Sequence, residues 1–378
     1  MKQLALLFLK LGATAFGGPA VHIAMMEDEV VKRRQWLTHE HFLDLIGATN
    51  LIPGPNSTEM AIHVGYLREG WKGVIVAGVC FIVPAAIITT LSAYLYVTYG
   101  SIPELSPFIS GIRAAIIAII LAAVFRLSKP VVKNRFIVIT GSLVIILSLF
   151  GVNEIVLLFA SGAIGLLWNF RKRLQQTARS MLRVVPLAIF QTTGATTVAV
   201  QSNATLTGLG LLFLKIGSIL YGSGYVLIAF LQEELVNTRH WLTQSQLLDA
   251  IAVGQFTPGP LSSTATFIGY VLLGLPGAFI ATAGMFLPSF IFVVISNPFI
   301  PKLRKSPLAR GFLDGVNAAA LGLMVAVTYT LASTALTSIG TWIIFVLAVV
   351  VMLRWNLNSG WIVVGAAALG WMSFYFRF

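Results

Sequence analysis

The sequence predicts an all-α, polytopic membrane protein built from two homologous inverted-topology repeats with broken or re-entrant helices. Three observations carry this expectation: long apolar runs, too little charge for a soluble domain, and an internal duplication. Of the 378 residues, 57% are apolar and 10% charged, against roughly 45–50% and about 25% in an average soluble domain. Mean hydropathy is +0.89, and runs such as 73–97 and 108–127 match the roughly 20 residues that cross a hydrocarbon core. They are too long and continuous for the ~10-residue alternating strands of a membrane barrel. A net charge of +12 in a soluble chain would suggest a nucleic-acid-binding face; the apolar content argues against that partner. The lone Cys80 excludes an intrachain disulfide framework.

Residues 8–55 align with 213–260 without a gap at a constant offset of 205, and 20 of those 48 positions are identical. The match includes Trp36-Leu37-Thr38 with Trp241-Leu242-Thr243, Leu43-Asp44 with Leu248-Asp249, and Pro53-Gly54-Pro55 with Pro258-Gly259-Pro260. After a one-residue deletion, Gly65-Tyr66, Pro84 and Gly111 match Gly269-Tyr270, Pro288 and Gly315. The expected organisation is a first repeat over 1–169, a basic linker with an extra apolar segment over 170–204, and a second repeat over 205–378. Because the start of the chain returns mid-sequence, the N-terminal stretch reads as structure and not as a cleaved signal.

Each repeat has the same order of segments. A glycine-broken apolar segment (4–31, 209–236) precedes one broken by Pro-Gly-Pro (39–67, 244–272). Four less interrupted spans follow: 73–97, 108–127, 136–150 and 154–169, then 276–300, 311–331, 339–353 and 360–376. Thr38 and Thr243 suit helix N-caps, with Gln246 completing a capping box. Whether the Thr-rich 184–200 segment also crosses is left open.

Loop charges distinguish the copies, because short loops rich in Lys and Arg stay cytoplasmic. Residues 98–107 hold no base, while the matching loop holds Lys302, Arg304, Lys305 and Arg310. The next loop reverses this, with Arg126, Lys129, Lys133 and Arg135 facing nothing basic over 332–353. Lys32, Arg33 and Arg34 face only Arg239; Arg68 and Lys72 face Leu272 and Pro276; Arg354 has no basic counterpart. Five loop pairs thus change together, which points to halves of opposite orientation, a transporter architecture with substrate bound near the midplane. Inversion needs an odd number of crossings between copies, supplied by 184–200 or by the glycine-broken segment.

Pro-Gly-Pro within a membrane segment forces a helix to stop and restart. The restart near Asn56-Ser57-Thr58 and Leu261-Ser262-Ser263 puts unpaired N–H groups, hydroxyls and a positive dipole end at membrane depth, as an anion requires. Gly17-Gly18-Pro19 and Gly222-Ser223-Gly224 supply a second pair of breaks. The alternative for any one motif is a packed proline kink.

The run Phe16-Gly17-Gly18-Pro19-Ala20-Val21-His22, the acids Glu27 to Glu29, Trp36-Leu37, Asp44, Pro53-Gly54-Pro55, Gly65-Tyr66 and Gly70-Trp71 resemble the first half of the chromate transporter family, long-chain type. Gly222-Ser223-Gly224-Tyr225, Asp249, Gly254-Gln255, Thr257 to Pro260, Phe267 to Tyr270 and Phe286 to Phe290 resemble its second half. The resemblance implies chromate export from the cell across the plasma membrane, driven by the proton motive force and conferring chromate resistance, with sulfate as isosteric competitor. In two places the sequence departs from the pattern: Asn50 stands where Gln is usual, as at Gln255, and Ser223 interrupts a glycine triplet.

Candidate substrate residues are therefore Gly17, Gly18, Pro19, Asn50, Pro53, Gly54, Pro55, Asn56, Ser57, Gly222, Ser223, Gly224, Gln255, Pro258, Gly259, Pro260 and Ser262. Lys10 and Lys215 recur within apolar segments, where a charge either serves function or snorkels. Arg113 is either a counter-ion for a dianion or a helix-end anchor. Asp44 and Asp249 either carry a coupling proton or are helix-start acids. Glu27, Asp28 and Glu29 read as a solvated face. His22 and His63, which become Leu227 and Phe267, either titrate or pack. His39 and His41 have metal-like spacing but no third ligand nearby, so no metal and no cofactor is expected. Expected partners are chromate or sulfate, protons, the bilayer and, in a homodimer, a second copy.

No nucleotide-binding GxxxxGK[ST] motif is present, which argues against direct ATP drive. An anion channel and an intramembrane hydrolase using His22, His63 and Ser57 are the competing classes. Under the inverted reading, cysteine labelling places the 126–135 and 332–338 loops on opposite sides of the membrane; labelling from one side would overturn it.

Overall fold

In the computed structural model the described residues are 1–100, 102–131, 135–177, 204–221, 224–297, 306–355, 357 and 359–375. Gly222, Ser223, the 184–200 segment and the loop cations Lys133, Lys302, Arg304 and Lys305 lie outside them. All regular structure among the described residues is helical, and five helices are long and apolar enough to cross a membrane.

The first repeat runs α1 (Lys2–Thr14), α2 (Pro19–Glu27), α3 (His39–Thr49), α4 (Asn56–Tyr99), α5 (Ser106–Val131), α6 (Arg135–Leu149) and α7 (Glu154–Thr177). The second runs α8 (Leu206–Ile219), α9 (Leu227–Leu231), α10 (Gln244–Phe256), α11 (Thr264–Ser296), α12 (Pro307–Ala335), α13 (Ile339–Trp355) and α14 (Ser359–Tyr375). The glycine-broken segments are two helical pieces each. Both end in a π-helical turn, Asp28–Arg33 and Gln232–Thr238, which closes on equivalent left-handed residues, Gln35 (φ 52°) and His240 (φ 54°). Thr38 and Thr243 cap α3 and α10, and Gln246 completes the capping box.

The long helices α4 and α11 are hairpins and not rods. Gly70 (φ 60°) and Gly274 (φ 65°) each follow a residue at φ −140°, and only glycine adopts such a left-handed bend without strain. The backbones of Gly65 and Gly73 touch, as do those of Gly269 and Gly277, although eight residues of straight helix separate ends by about 12 Å. Thr266 and Thr282 hydroxyls meet at 2.7 Å across the second hairpin. The boundary expected between 67 and 73 is therefore a sharp reversal, and glycine supplies both its torsion and the close approach of its arms.

The sequence repeats are interleaved in space. Within each repeat, α1 packs on α4 and α8 on α11; beyond that the halves exchange partners. Helices α6 and α7 pack on α12, while α13 and α14 pack on α5, and α5 meets α12 at the centre. The core follows from composition: residues 114–120 of α5, Ala-Ala-Ile-Ile-Ala-Ile-Ile, are all buried. Because lipid tails are as apolar as leucine, such packing relies on small residues that let backbones approach. Gly165 lies against the backbones of Gly311 and Gly315, and Gly111 against Ala366 and Gly370. Large apolar side chains such as Ile87, Ile139, Phe279 and Trp361 cover the outside, as expected of a surface solvated by lipid.

A side chain on Gly315 would collide with the Ser161 carbonyl, whereas Gly365 has nothing near it. We expect G315V to lose about 1–3 kcal/mol or more, the usual range for overpacking, read as a lower melting temperature in detergent. G365A should melt with the wild type; equal melting of both variants would contradict the interleaved packing.

Candidate functional site

Each Pro-Gly-Pro turn has few backbone donors to satisfy, since proline has none, and its glycine is left to find a partner. Gly54 (φ 149°) and Gly259 (φ 92°) both adopt torsions that favour glycine. The Gly54 N–H donates to the Leu220 carbonyl at 2.6 Å, and the Gly259 N–H donates to the Ala15 carbonyl at 2.9 Å. Ala15 and Leu220 are equivalent residues that end α1 and α8. Each repeat's Pro-Gly-Pro turn thus caps the broken helix of the other. The glycine breaks join the same centre: the Tyr225 hydroxyl lies beside Gly18, and Pro19 and Leu261 flank Gly224.

Just beyond the turns the chain restarts as α4 and as a short 3₁₀ turn, Leu261–Ser263, leading into α11. The restart brings together buried polar side chains. Ser57, Thr58 and Glu59 of the first repeat, and Gln255, Thr257, Ser262, Ser263 and Ser289 of the second, are each 5% exposed or less. Among them, Thr58 Oγ1, both Glu59 carboxylate oxygens, Gln255 Nε2, Thr257 Oγ1, Ser263 Oγ and Ser289 Oγ have no hydrogen-bond partner. A buried polar group without a partner costs about 1–3 kcal/mol, so the group of them at the two helix starts is the candidate site.

The sequence-selected residues fall into two sets. The two Pro-Gly-Pro turns, Gly18, Pro19 and Gly224 meet across the repeats; Ser57, Gln255 and Ser262 are buried at the adjoining helix ends, and Gly17 packs against Val21. Asn56 lies at the start of α4 and donates to Asn50 at 2.8 Å, but Asn50 is exposed where its counterpart Gln255 is buried. The cations are elsewhere. Arg113 is bidentate to Asp249, with both contacts at 2.7 Å, and the Tyr96 hydroxyl donates to the same carboxylate at 2.8 Å. Lys10 pairs with Glu29 at 2.7 Å, joined by Arg34 at 3.2 Å. Lys215 pairs with Glu234, joined by Arg239. The charge that sequence reasoning offered from Lys10, Lys215 and Arg113 to an anion is thus engaged by protein carboxylates.

The two candidate proton carriers also part company. Asp249 is buried and held by Arg113 and Tyr96, whereas Asp44 is exposed on α3. Glu29, read as part of a solvated face, is buried at the centre of three basic side chains. Its signal was present in the repeat: Lys10, Glu29 and Arg34 all recur as Lys215, Glu234 and Arg239. His22 Nε2 faces the Ala15 carbonyl at 3.0 Å, and His39 pairs with Glu27. Glu59 and Ser289 escaped sequence reasoning because neither recurs in the other copy.

Removing one partner of a buried ion pair strands the other charge, at a cost of about 3–5 kcal/mol. R113A should therefore sharply lower the melting temperature in detergent, and the double variant R113A/D249A should recover much of the loss. A double variant no more stable than R113A would show that the pair is not what the two repeats lean on.

The sequence profile of the chromate transporter family matches residues 2–166 and 207–371. Over 99% of this chain and 93% of its own length, a chromate transport protein from Cupriavidus metallidurans is 31% identical. A probable chromate transport protein from Synechococcus elongatus is 29% identical over 93% of this chain and 89% of its own. For a chromate transport protein from Pseudomonas aeruginosa the figures are 29%, 98% and 92%. No solved structure matches. These relatives are transport proteins and not enzymes, and a paired profile match over a multi-pass helical chain shows that the protein belongs to the chromate transporter family.

Proposed function

We propose that the chain is a secondary active transporter that exports chromate, is driven by the proton motive force and thereby confers chromate resistance. The observation that supports it is a cluster of unpartnered buried polar groups at two interlocked Pro-Gly-Pro turns, in a chain of this family. A tetrahedral dianion needs several donors from several directions. Free N–H groups at helix starts, the hydroxyls of Ser57, Ser262, Ser263 and Ser289, and the Gln255 amide provide them, and the helix dipoles favour negative charge. No cation bound at this point is required, in keeping with the engagement of Lys10, Lys215 and Arg113 by carboxylates. Sulfate has the same charge and shape, so this donor set accepts both and sulfate competes.

In this reading the repeats are oppositely oriented, and the site lies at their interface near the midplane. The loop-charge reversal and the reciprocal capping of Ala15 and Leu220 support that orientation. Alternating access then consists of the turns trading partners as one helical group moves against the other.

Inverted membrane vesicles should accumulate chromate when energised, and lose that accumulation when an uncoupler collapses the whole proton motive force or with excess sulfate. No chromate flux under either condition would refute the reading. Replacing Pro53-Gly54-Pro55 with alanines should abolish flux while the protein still inserts; unchanged flux would move the site elsewhere.

A further inference from the structure

Glu59 has no task in the account so far. It is 0% exposed, and neither carboxylate oxygen has a hydrogen-bond partner. It sits in the first turn of α4, just beyond Pro55. A side chain on Gly54 would strike both the Glu59 carboxylate and the Ser289 hydroxyl, so the carboxyl group is aimed at the Pro-Gly-Pro turn. The second repeat holds no acid over 261–268, so this group breaks the symmetry of the site.

The charged and titratable groups on the elements packed around α4 do not neutralise it. Lys10 of α1 is paired with Glu29, and Asp249 of α10 with Arg113. His22 of α2 turns to the Ala15 carbonyl, and Asp44 of α3 is exposed. The described part of α11 carries no Lys, Arg, His, Asp or Glu. The Tyr221 hydroxyl, after α8, is within electrostatic reach. One turn along α4, His63 is also fully buried, with the Asn297 side chain beside it.

We propose that Glu59 binds one proton whenever the anion binds, so that proton and oxyanion occupy the site together. As a carboxylate, Glu59 would repel a dianion a few ångströms away in a medium that screens poorly. As a carboxylic acid it carries no charge and offers an O–H donor to an anion oxygen. The balance is simple: one proton from solution bonds to a Glu59 oxygen on binding and leaves on release, and no other bond forms or breaks. The loaded site then moves a net single negative charge, and outward movement of that charge is favoured by an inside-negative membrane potential. The proton thus travels with the anion, so the membrane-potential part of the proton motive force drives export while the pH gradient opposes it. This inference rests on the proposed chromate site and adds the residue and the sign of its coupling.

The test is calorimetric titration of chromate into the purified protein in detergent, at alkaline pH where chromate is the free dianion. Running it in buffers of different ionisation enthalpy counts the protons taken up. At a pH high enough to ionise Glu59 in the empty site, the wild type should take up close to one proton per anion, with affinity falling up to tenfold per pH unit as pH rises; at lower pH Glu59 already holds its proton and uptake vanishes. E59Q, neutral at every pH, should bind chromate with no proton uptake and a flat pH profile. H63F, which installs the residue found at the matching position Phe267, should keep the uptake. Wild-type binding with no proton uptake and a flat affinity across the whole alkaline range overturns the proposal without needing any variant, as does E59Q that retains uptake or H63F that loses it. If the wild type does not bind chromate at all, the proposed function fails as well, which separates the two failures.

Discussion

Two backbone hydrogen bonds hold the centre of this protein. In a membrane interior a peptide group without a partner has no water to turn to, and every helix break creates such groups. The chain breaks its helices at Ala15, at Leu220 and at both Pro-Gly-Pro turns. It resolves the deficit across the repeats, with Gly54 bonded to Leu220 and Gly259 to Ala15. Neither half supplies both members of a pair, so a broken helix in one repeat is satisfied only when the other is in place. The exchange of α6 and α7 for α13 and α14 enforces the same dependence at larger scale. Of the buried side chains left without a partner, those gathered at the restarted helices define the candidate site.

The cations at apolar positions follow a different logic from the one their residue types suggest. Three cations at apolar positions, Lys10, Lys215 and Arg113, look like an anion trap. Each instead meets a buried carboxylate and gives it the counter-charge that a lone buried anion would lack. The Lys10–Glu29 and Lys215–Glu234 pairs tie α1 and α8 to the π-helical turns that follow the glycine breaks, and Arg113–Asp249 ties α5 to α10. In the proposed site, helix ends and hydroxyls take the place of a fixed cation that would retain a doubly charged ion. The two copies have also diverged at the centre. Asn50 and Gln255 differ in burial, and Ser289 packs at Gly54 where Ala85 packs at Gly259. A pseudo-symmetric frame therefore encloses an asymmetric set of polar groups.

Much of the frame was legible in the residues. The 205-residue offset, the apolar runs and the prolines and glycines gave the repeats, the segment order and the breaks, because these features act through local backbone chemistry. The caps at Thr38 and Thr243 were legible for the same reason. The Pro-Gly-Pro turns and glycine breaks were legible as matched helix breaks in two copies, though not which carbonyl each turn would meet. The hairpin form of α4 and α11 was not, because Gly65 and Gly73 read as ordinary helix residues until the bend brings them together.

Sequence by itself determined what depends on neighbours along the chain: where helices stop, which faces are apolar, and that the whole is duplicated and membrane-embedded. Tertiary structure decided what depends on distant partners. It assigned Glu29, Glu234 and Asp249 to the three cations, gave each turn a carbonyl from the opposite repeat, and left Glu59 buried without a donor. Charge and hydrogen bonding act over a few ångströms, and Arg113 and Asp249, 136 positions apart in the chain, come within that range only when the two repeats fold through each other.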